Sequence, residues 1–232
     1  MKSVHLLSCL ALAACVSSTH SQEPFAMQRE AMVRTQIEAR GVKDRRVLDA
    51  LRRVPRERFV VAGSESRAYT DAPLSIGHGQ TISQPYIVAV MSEAAMIEAD
   101  EVVLEIGTGS AYQAAVLGEL ARDVYTIEIV PALAQRAEAL LRDLGYRNVH
   151  TRLGDGYAGW PEHAPFDAIV VTAAPPAVPE ALKQQLRVGG RMVVPVGTFD
   201  QDLLLIERTA SGFREERLMP VRFVPMVPKK NP

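Results

Sequence analysis

The chain has 232 residues, 47% of them hydrophobic and 23% charged, which is typical of one globular α/β domain with or without a small cap. The formal net charge of −1 argues against nucleic-acid binding, because phosphate contacts require a surplus of Lys and Arg. Both cysteines lie before residue 16, and the histidines beyond residue 25 lack metal-motif spacing, so we expect no metal.

The first 24 residues differ from the rest of the chain. Lys2 precedes an apolar stretch over residues 4–16, within which two alanines stand directly before Cys15. This order is typical of a secretory signal, and its end resembles the lipobox of bacterial lipoproteins. We therefore expect cleavage before Cys15, a lipid on that cysteine as the sole membrane contact, and a polar tether over residues 17–22.

The export hypothesis predicts a periplasmic or membrane-anchored protein. In one alternative the signal is cleaved without lipidation, and Cys15 is incidental. In the other the leader is not used, and the protein is cytoplasmic.

Residues 25–100 predict a small helical cap with a substrate loop. Glycine, proline and capping residues punctuate this region and give it the start and stop signals of short helices. The predicted elements are a surface helix over 26–40 that stops at Gly41, a second from Asp44 to Leu51, a third from Pro55, a loop over 64–84, and a helix from Pro85 to about Ile97.

Residues 101–232 predict the main domain, in which strands alternate with helices. Buried strands joined by helices indicate a doubly wound, Rossmann-like α/β sheet that is mainly parallel. Near the end, Ser211-Gly212 separates two strand-like runs and predicts an antiparallel C-terminal hairpin. The predicted strands lie at 101–106, 123–129, 148–153, 167–172, 190–196, 202–208 and 213–224, and the helices at 110–120, 131–144 and 179–187.

The first strand of this domain runs into a glycine turn, Gly107-Thr108-Gly109. Such a turn lets a ligand approach the backbone closely, because no side chain blocks it. Glu128 follows 19 residues after Gly109, at the end of the next strand, where a carboxylate can accept hydrogen bonds from both hydroxyls of a ribose. The pattern favours a nucleoside site over the alternative, an ordinary turn with a surface glutamate.

Three side chains bear on the identity of the nucleoside. A dinucleotide fingerprint requires glycine where this chain has Tyr112, which disfavours a dehydrogenase. Glu105, two residues before the first glycine, suits the cationic end of S-adenosylmethionine better than a pyrophosphate. Asp155, in Gly154-Asp155-Gly156, is placed to accept a hydrogen bond from the adenine amino group. By itself the motif favours a tight turn, but together with Glu105 and Glu128 it favours binding.

Four segments resemble a single enzyme family. They are PLSIGHGQTISQPY at 73–86, VPRE at 54–57, FDAIVVTAA at 166–174 and RFVP at 222–225. With the glycine turn they extend the match over about residues 28–228. In these segments the chain resembles the protein-L-isoaspartate O-methyltransferases of bacterial type.

The resemblance implies methyl transfer from S-adenosylmethionine to the α-carboxylate of L-isoaspartyl residues in damaged proteins and peptides. The ester then closes to a succinimide, and hydrolysis returns some normal aspartate, which makes the reaction a protein repair. The implied catalytic residues are Ser83, which holds the substrate carboxylate, and Thr81, which shapes its pocket. The implied cofactor-binding residues, beside Glu105, Glu128 and Asp155, are Gln80, Gly107, Gly109, Gly156 and Thr172.

Two positions depart from the family pattern. Ala111 stands where the family usually has glycine, and it strains the turn only if its φ angle is positive. Ser75 replaces the more usual proline. For Ser83 an alternative role is that of a helix cap before Pro85.

Export raises a rival hypothesis, because S-adenosylmethionine is made in the cytosol. The rival is a non-catalytic, exported binding lipoprotein that retains the methyltransferase fold. The intact set of Glu105, Glu128, Asp155 and Ser83 favours the enzyme, for which we expect a monomer.

Overall fold

The computed structural model describes residues 23–228, so the predicted signal and Cys15 lie outside the described residues. The α-helices of this part are α1 (Glu23–Met32), α2 (Arg45–Arg53), α3 (Pro85–Ala94), α4 (Tyr112–Gly118), α5 (Pro131–Asp143) and α6 (Glu180–Gln185). The strands are β1 (Leu74–Gly77), β2 (Gln80–Ile82), β3 (Val102–Ile106), β4 (Asp123–Glu128), β5 (Val149–Leu153), β6 (Phe166–Val171), β7 (Leu186–Val196), β8 (Gln201–Thr209) and β9 (Gly212–Val221).

A seven-stranded sheet in the order β5-β4-β3-β6-β7-β8-β9 forms the centre of the molecule. The first five strands of that order run parallel, whereas β8 and β9 are antiparallel to their neighbours. The structure thus confirms the predicted Rossmann-like fold, mainly parallel with an antiparallel C-terminal hairpin.

Side chains of β3 alternate between two hydrophobic clusters, as expected for a strand that is buried on both faces. Val103 packs into a cluster that also holds the N-terminal cap, including Val33 and Leu51. Leu104 and Ile106 belong to the second cluster, with α6 and the start of β6. The cap therefore shares its core with one face of the sheet.

The N-terminal helices agree in part with the sequence signals. Asp44 caps α2, since its carboxylate accepts hydrogen bonds from the N–H groups of Arg46 and Val47. Gly41 ends the first helical run with a φ of 102°. The third helix predicted from Pro55 is only a single 3-10 turn, Arg56–Arg58.

The predicted loop over 64–84 contains regular structure and is a correction. A short 3-10 turn at Glu65–Arg67 is followed by β1 and β2, which pair as an antiparallel hairpin. Its turn is made of Gly77, His78 and Gly79, all with positive φ. Strands this short show no sustained period in the sequence, so their alternation of buried and exposed residues was not recognised.

The sheet order fixes where a ligand can bind. From β3 the chain winds first towards β4 and β5 and later, in the opposite direction, to β6 and β7. Ligands of such sheets bind outside the carboxyl ends of the strands at the point of reversal, which here lies between β3 and β6. Among the helices of residues 23–228, none has the length and apolar character needed to cross a membrane.

Candidate active site

The glycine turn after β3 is held tightly against the end of β6. Gly107 has a φ of +98°, and a Cβ atom there would lie 2.5 Å from Thr172 Oγ1. That hydroxyl lies 2.6 Å from the carbonyl oxygen of Gly107 and 3.0 Å from that of Ile106, to which it can donate. Glycine at this position is therefore required both by the backbone angle and by the close approach of Thr172.

Glu128, at the end of β4, is clamped by backbone N–H groups. Its Oε2 accepts from Gly109 N at 2.8 Å, and its Oε1 accepts from the N–H groups of Ile129 at 3.0 Å and Val130 at 2.9 Å. Three donors fix the carboxylate beside the turn. Both lone pairs of Oε1 are thus used, whereas Oε2 retains one for a ligand.

Glu105, at the end of β3 before the turn, is fully buried, and it is not among the residues that line the cavities described below. Thr126 donates its hydroxyl to Glu105 Oε2, and the Thr126 oxygen is 2.6 Å from that of Thr108. No hydrogen-bond partner among the described residues reaches Glu105 Oε1. Burial, together with the nearby charge of Glu128, raises the pKa of this carboxyl from 4.5 to about 8, against the lowering effect of the Thr126 hydrogen bond.

Asp155 and Gly156 form a turn after β5. Asp155 Oδ1 accepts from Tyr157 N at 2.9 Å and so caps the 3-10 turn that follows. A side chain at Gly156 would collide with Ile106 Cγ2. Gly156 lines the cleft described next, whereas Asp155 is not among its lining residues.

A cleft of about 590 Å³, partly open to solvent, lies at the carboxyl edge of the sheet. Seven of the predicted site residues line it: Gln80, Thr81, Gly107, Gly109, Glu128, Gly156 and Thr172.

The chain's C-terminal segment also lines this cleft, through Val224, Pro225, Met226 and Val227. Backbone hydrogen bonds of 2.9 Å and 2.8 Å join Ala174 to Val224 and Met226. Sequence reasoning did not assign residues 224–227 to the site. The RFVP segment marked the family resemblance, but the fold alone brings it to the cleft.

A second pocket, of about 1050 Å³ and open to solvent, adjoins the cleft and contains Ser83. Thr81, Thr172 and Val224 line both cavities. A smaller space of about 310 Å³ is lined by Ser83 together with the glycine turn. The alternative role of Ser83 as a cap is not seen, because α3 begins without a side-chain cap.

Arg56 lies behind Ser83, and sequence reasoning missed it. Its side chain is fully buried, and it donates from Nη2 to Ser83 O and from Nε to Ala68 O, each at 2.7 Å. The guanidinium also lies 4.6 Å from the ring centroid of Tyr112. Burial lowers the pKa of Arg56, and no carboxylate of the described residues forms an ion pair with it.

Two further sequence questions are answered by the geometry. Ala111 precedes α4 with φ 71° and ψ 6°, so this departure from glycine places an alanine in the left-handed region at an energetic cost. Tyr112 stands where a dinucleotide site needs glycine, and its ring is buried against Phe59 at 5.4 Å. Within residues 23–228, no group of three or more His, Cys, Asp or Glu side chains is arranged to hold a metal ion.

Comparison with known proteins agrees with this arrangement. Residues 27–231 match the family described as protein-L-isoaspartate(D-aspartate) O-methyltransferase (PCMT). The chain belongs to this family. A PCMT of Synechococcus sp. is 57% identical over 215 residues, which cover 89% of this chain and 88% of the relative.

Two more comparisons cover most of the chain. A PCMT of Opitutus terrae is 53% identical over 228 residues, or 97% of this chain and 98% of the relative, so the match includes most of the segment before residue 27. A Plasmodium falciparum structure described as a PCMT, in complex with S-adenosyl-L-homocysteine, has a TM-score of 0.75 and 24% identity. It covers 88% of this chain and 99% of that one.

Proposed function

We infer that this chain transfers a methyl group from S-adenosylmethionine to the α-carboxylate of L-isoaspartyl residues in damaged proteins and peptides. One observation carries this conclusion: the cleft built on the glycine turn opens into the pocket that holds Ser83, through walls shared at Thr81 and Thr172. Family membership supports it, and the comparisons do not favour the non-catalytic rival.

The cleft fits S-adenosylmethionine by its chemistry. We propose that Glu128 accepts a hydrogen bond from a ribose hydroxyl through Oε2, since three N–H groups already orient its carboxylate and leave one lone pair of Oε2 free. Gly107 and Gly109 allow the ligand to lie close to the backbone, and Gly156 leaves room beside Met226. Asp155 Oδ1 holds the backbone of the Gly156 turn, and we propose that this carboxylate also accepts a hydrogen bond from the adenine amino group.

Glu105 is proposed to act from beneath the cleft. It is buried, and it reaches the cavity wall only through Thr126 and Thr108, the latter of which borders the space shared with Ser83. When ionised, it supplies a negative field that favours a cation above it. It is a positioning residue in this proposal, without the direct contact expected from the sequence.

The reaction needs orientation more than acid–base chemistry. S-adenosylmethionine supplies a methyl group that its sulfonium already activates. A carboxylate is ionised at neutral pH, so the chain needs no strong base. We propose that Ser83 donates its hydroxyl to the substrate carboxylate, while Thr81 and Gln80 shape the junction of the two cavities. Alignment of reactants in this way contributes several kcal/mol, up to roughly 7–11 in ideal cases.

Arg56 is proposed to fix the backbone at Ser83. A buried guanidinium that donates to Ser83 O and Ala68 O ties the substrate loop to the cap. Because Ser83 is half-buried between two cavities, a shift of its backbone would displace the hydroxyl from the reacting carboxylate.

The deciding experiment is transfer of a labelled methyl group to an isoaspartyl peptide and to its aspartyl twin. We expect the isoaspartyl peptide alone to be labelled, and the label to leave as methanol when the ester closes to the succinimide. No labelling, or equal labelling of both peptides, would refute the assignment.

We further propose that the protein is exported and carries lipid on Cys15. The leader's basic, apolar and small residues support this, and the Opitutus terrae relative has a counterpart for most of the segment. Mass spectrometry of natively expressed protein provides the test. A lipidated N-terminal Cys15 is expected, and a chain that begins at Met1 in the cytosol would overturn the proposal.

A further inference from the structure

The pocket that holds Ser83 has an excess of positive charge. Among the residues that the structure describes, its walls include Arg40 and Arg222 but no Asp or Glu. The charge of Arg40 is largely balanced, because its Nη1 lies 2.8 Å from Asp71 Oδ2. Its guanidinium also stacks 3.5 Å from the ring centroid of Tyr86, which holds it against the wall.

Arg222 differs from the other arginines near the end of β9. Arg217 pairs with Asp202 at 2.7 Å, and Arg214 pairs with Glu207 at 2.6 Å. Arg222 is exposed and has no hydrogen bond or ion pair from its side chain to any residue within 23–228. Its five N–H donors are therefore open to an anion that enters the pocket from solvent.

We propose that Arg222 selects isoaspartyl sites that have an acidic residue beside the isoaspartate. The inference rests on the proposed function, and it names a preference within that substrate class. Ser83 is half-buried in the pocket, whereas Arg222 is exposed on its wall. When the isoaspartate of a peptide reaches Ser83, the neighbouring residues of the peptide must lie along the wall that contains Arg222.

The change of charge during the reaction indicates that Arg222 pairs with a carboxylate beside the isoaspartate and not with the acceptor carboxylate itself. The acceptor loses its negative charge when it is methylated, so an ion pair with it would stabilise the ground state more than the transition state. A flanking Asp or Glu keeps its charge throughout. An ion pair with that residue stabilises both states equally, and it therefore lowers KM without changing kcat.

The test uses isoaspartyl peptides that differ only in one neighbouring residue, Glu, Gln or Lys, placed on either side of the isoaspartate. With the full-length chain we expect KM to rise in that order at one of the two positions, by about two- to fivefold per step, at constant kcat. High salt should reduce the difference. Arg222→Gln should abolish the order, and Arg222→Glu should reverse it.

Arg147→Gln is the matched control, since Arg147 is an exposed arginine without a side-chain partner among the described residues and lines a different groove. It should keep the wild-type order. An unchanged order in Arg222→Gln would overturn the inference. So would an equal rise of KM for all peptides, which would assign Arg222 to the acceptor carboxylate. If the wild type methylates no isoaspartyl peptide, the proposed function fails, and the inference fails with it.

Discussion

The cleft proposed for the cofactor and the pocket proposed for the substrate meet at Thr81 and Thr172, yet their residues come from different parts of the sequence. The centre of the cleft is local: a glycine turn, the ends of neighbouring parallel strands and a glutamate clamped by N–H groups. The pocket combines segments as distant in sequence as Arg40, Ser83 and Arg222. The cleft suits a cofactor that many reactions share. Substitutions in the pocket can change the substrate specificity without a change of fold.

The substitution with the largest expected effect tests whether the cleft requires glycine in the turn after β3. Gly107→Ala adds a Cβ 2.5 Å from Thr172 Oγ1 at a φ of +98°. We expect a loss of about 2–4 kcal/mol in the free energy of unfolding and at least tenfold weaker S-adenosylmethionine binding. Gly145→Ala is the control, with a φ of +82° and open space around it, so only the strain of about 1–2 kcal/mol remains. Urea unfolding and calorimetric titration measure both, and equal losses would contradict the role of the close approach.

Glu128→Ala removes the main side chain that the cleft contributes. Hydrogen bonds to a charged group are worth roughly 1.5–3 kcal/mol, so we expect about ten- to 150-fold weaker binding of S-adenosylmethionine. Glu138→Ala, at an exposed position of α5, should leave the affinity unchanged. Calorimetry with NAD should detect no binding to any of these proteins. Unchanged affinity in Glu128→Ala would place the ribose elsewhere.

Ser83→Ala tests whether substrate methylation and cofactor binding depend on different residues. We expect kcat/KM for an isoaspartyl peptide to fall roughly tenfold, because one donor to the carboxylate is lost, while S-adenosylmethionine affinity stays nearly constant. Ser75→Ala, at an exposed serine in the hairpin that precedes Ser83, is the control and should leave kcat/KM unchanged. Weaker cofactor binding in Ser83→Ala would contradict the division into cleft and pocket.

Glu105 predicts a dependence on pH. Its pKa, raised by burial from 4.5 to about 8, means that its contribution to stability is fully present below pH 4.5 and is lost as the pH rises through about 8. Since a bound cation favours the ionised form, S-adenosylmethionine affinity should increase several-fold towards pH 8 and level off above it. Glu105→Gln should flatten both profiles, as measured by unfolding and titration at several pH values. A Gln variant with the wild-type profiles would exclude Glu105 as the titrating group.

The smallest expected effect concerns Ala111. Its φ of 71° suits glycine, so Ala111→Gly should raise the free energy of unfolding by about 0.5–1 kcal/mol. Ala115→Gly, within the regular part of α4, should lower it by at least about 0.5–1 kcal/mol. Thermal unfolding distinguishes the two signs, and a destabilised Ala111→Gly would show that the methyl group's buried contacts outweigh its strain.

The sequence predicted the cleft well, because its determinants are local. A buried strand, a glycine turn and a glutamate at the next strand's end follow one another within 27 residues, from Val102 to Glu128. Their spacing alone places them at one edge of a parallel sheet.

The other parts of the site depend on tertiary contacts that no local sequence pattern shows. Arg56 reaches Ser83 across 27 positions, and residues 224–227 reach the cleft through bridging bonds to Ala174. Glu105 was correctly noticed as an acid beside the turn, but a strand residue there points into the core, as its full burial shows. Burial of an individual side chain is decided by what packs against it.

The bridge between Ala174 and the segment 224–226 has a consequence for the order of events in synthesis. Translation proceeds towards the C-terminus, so residues 224–227 leave the ribosome after every other described segment that lines the cleft. A nascent chain therefore has no complete cleft until these residues have emerged, whatever has already folded. We expect full affinity for S-adenosylmethionine only once this segment has docked beside Ala174.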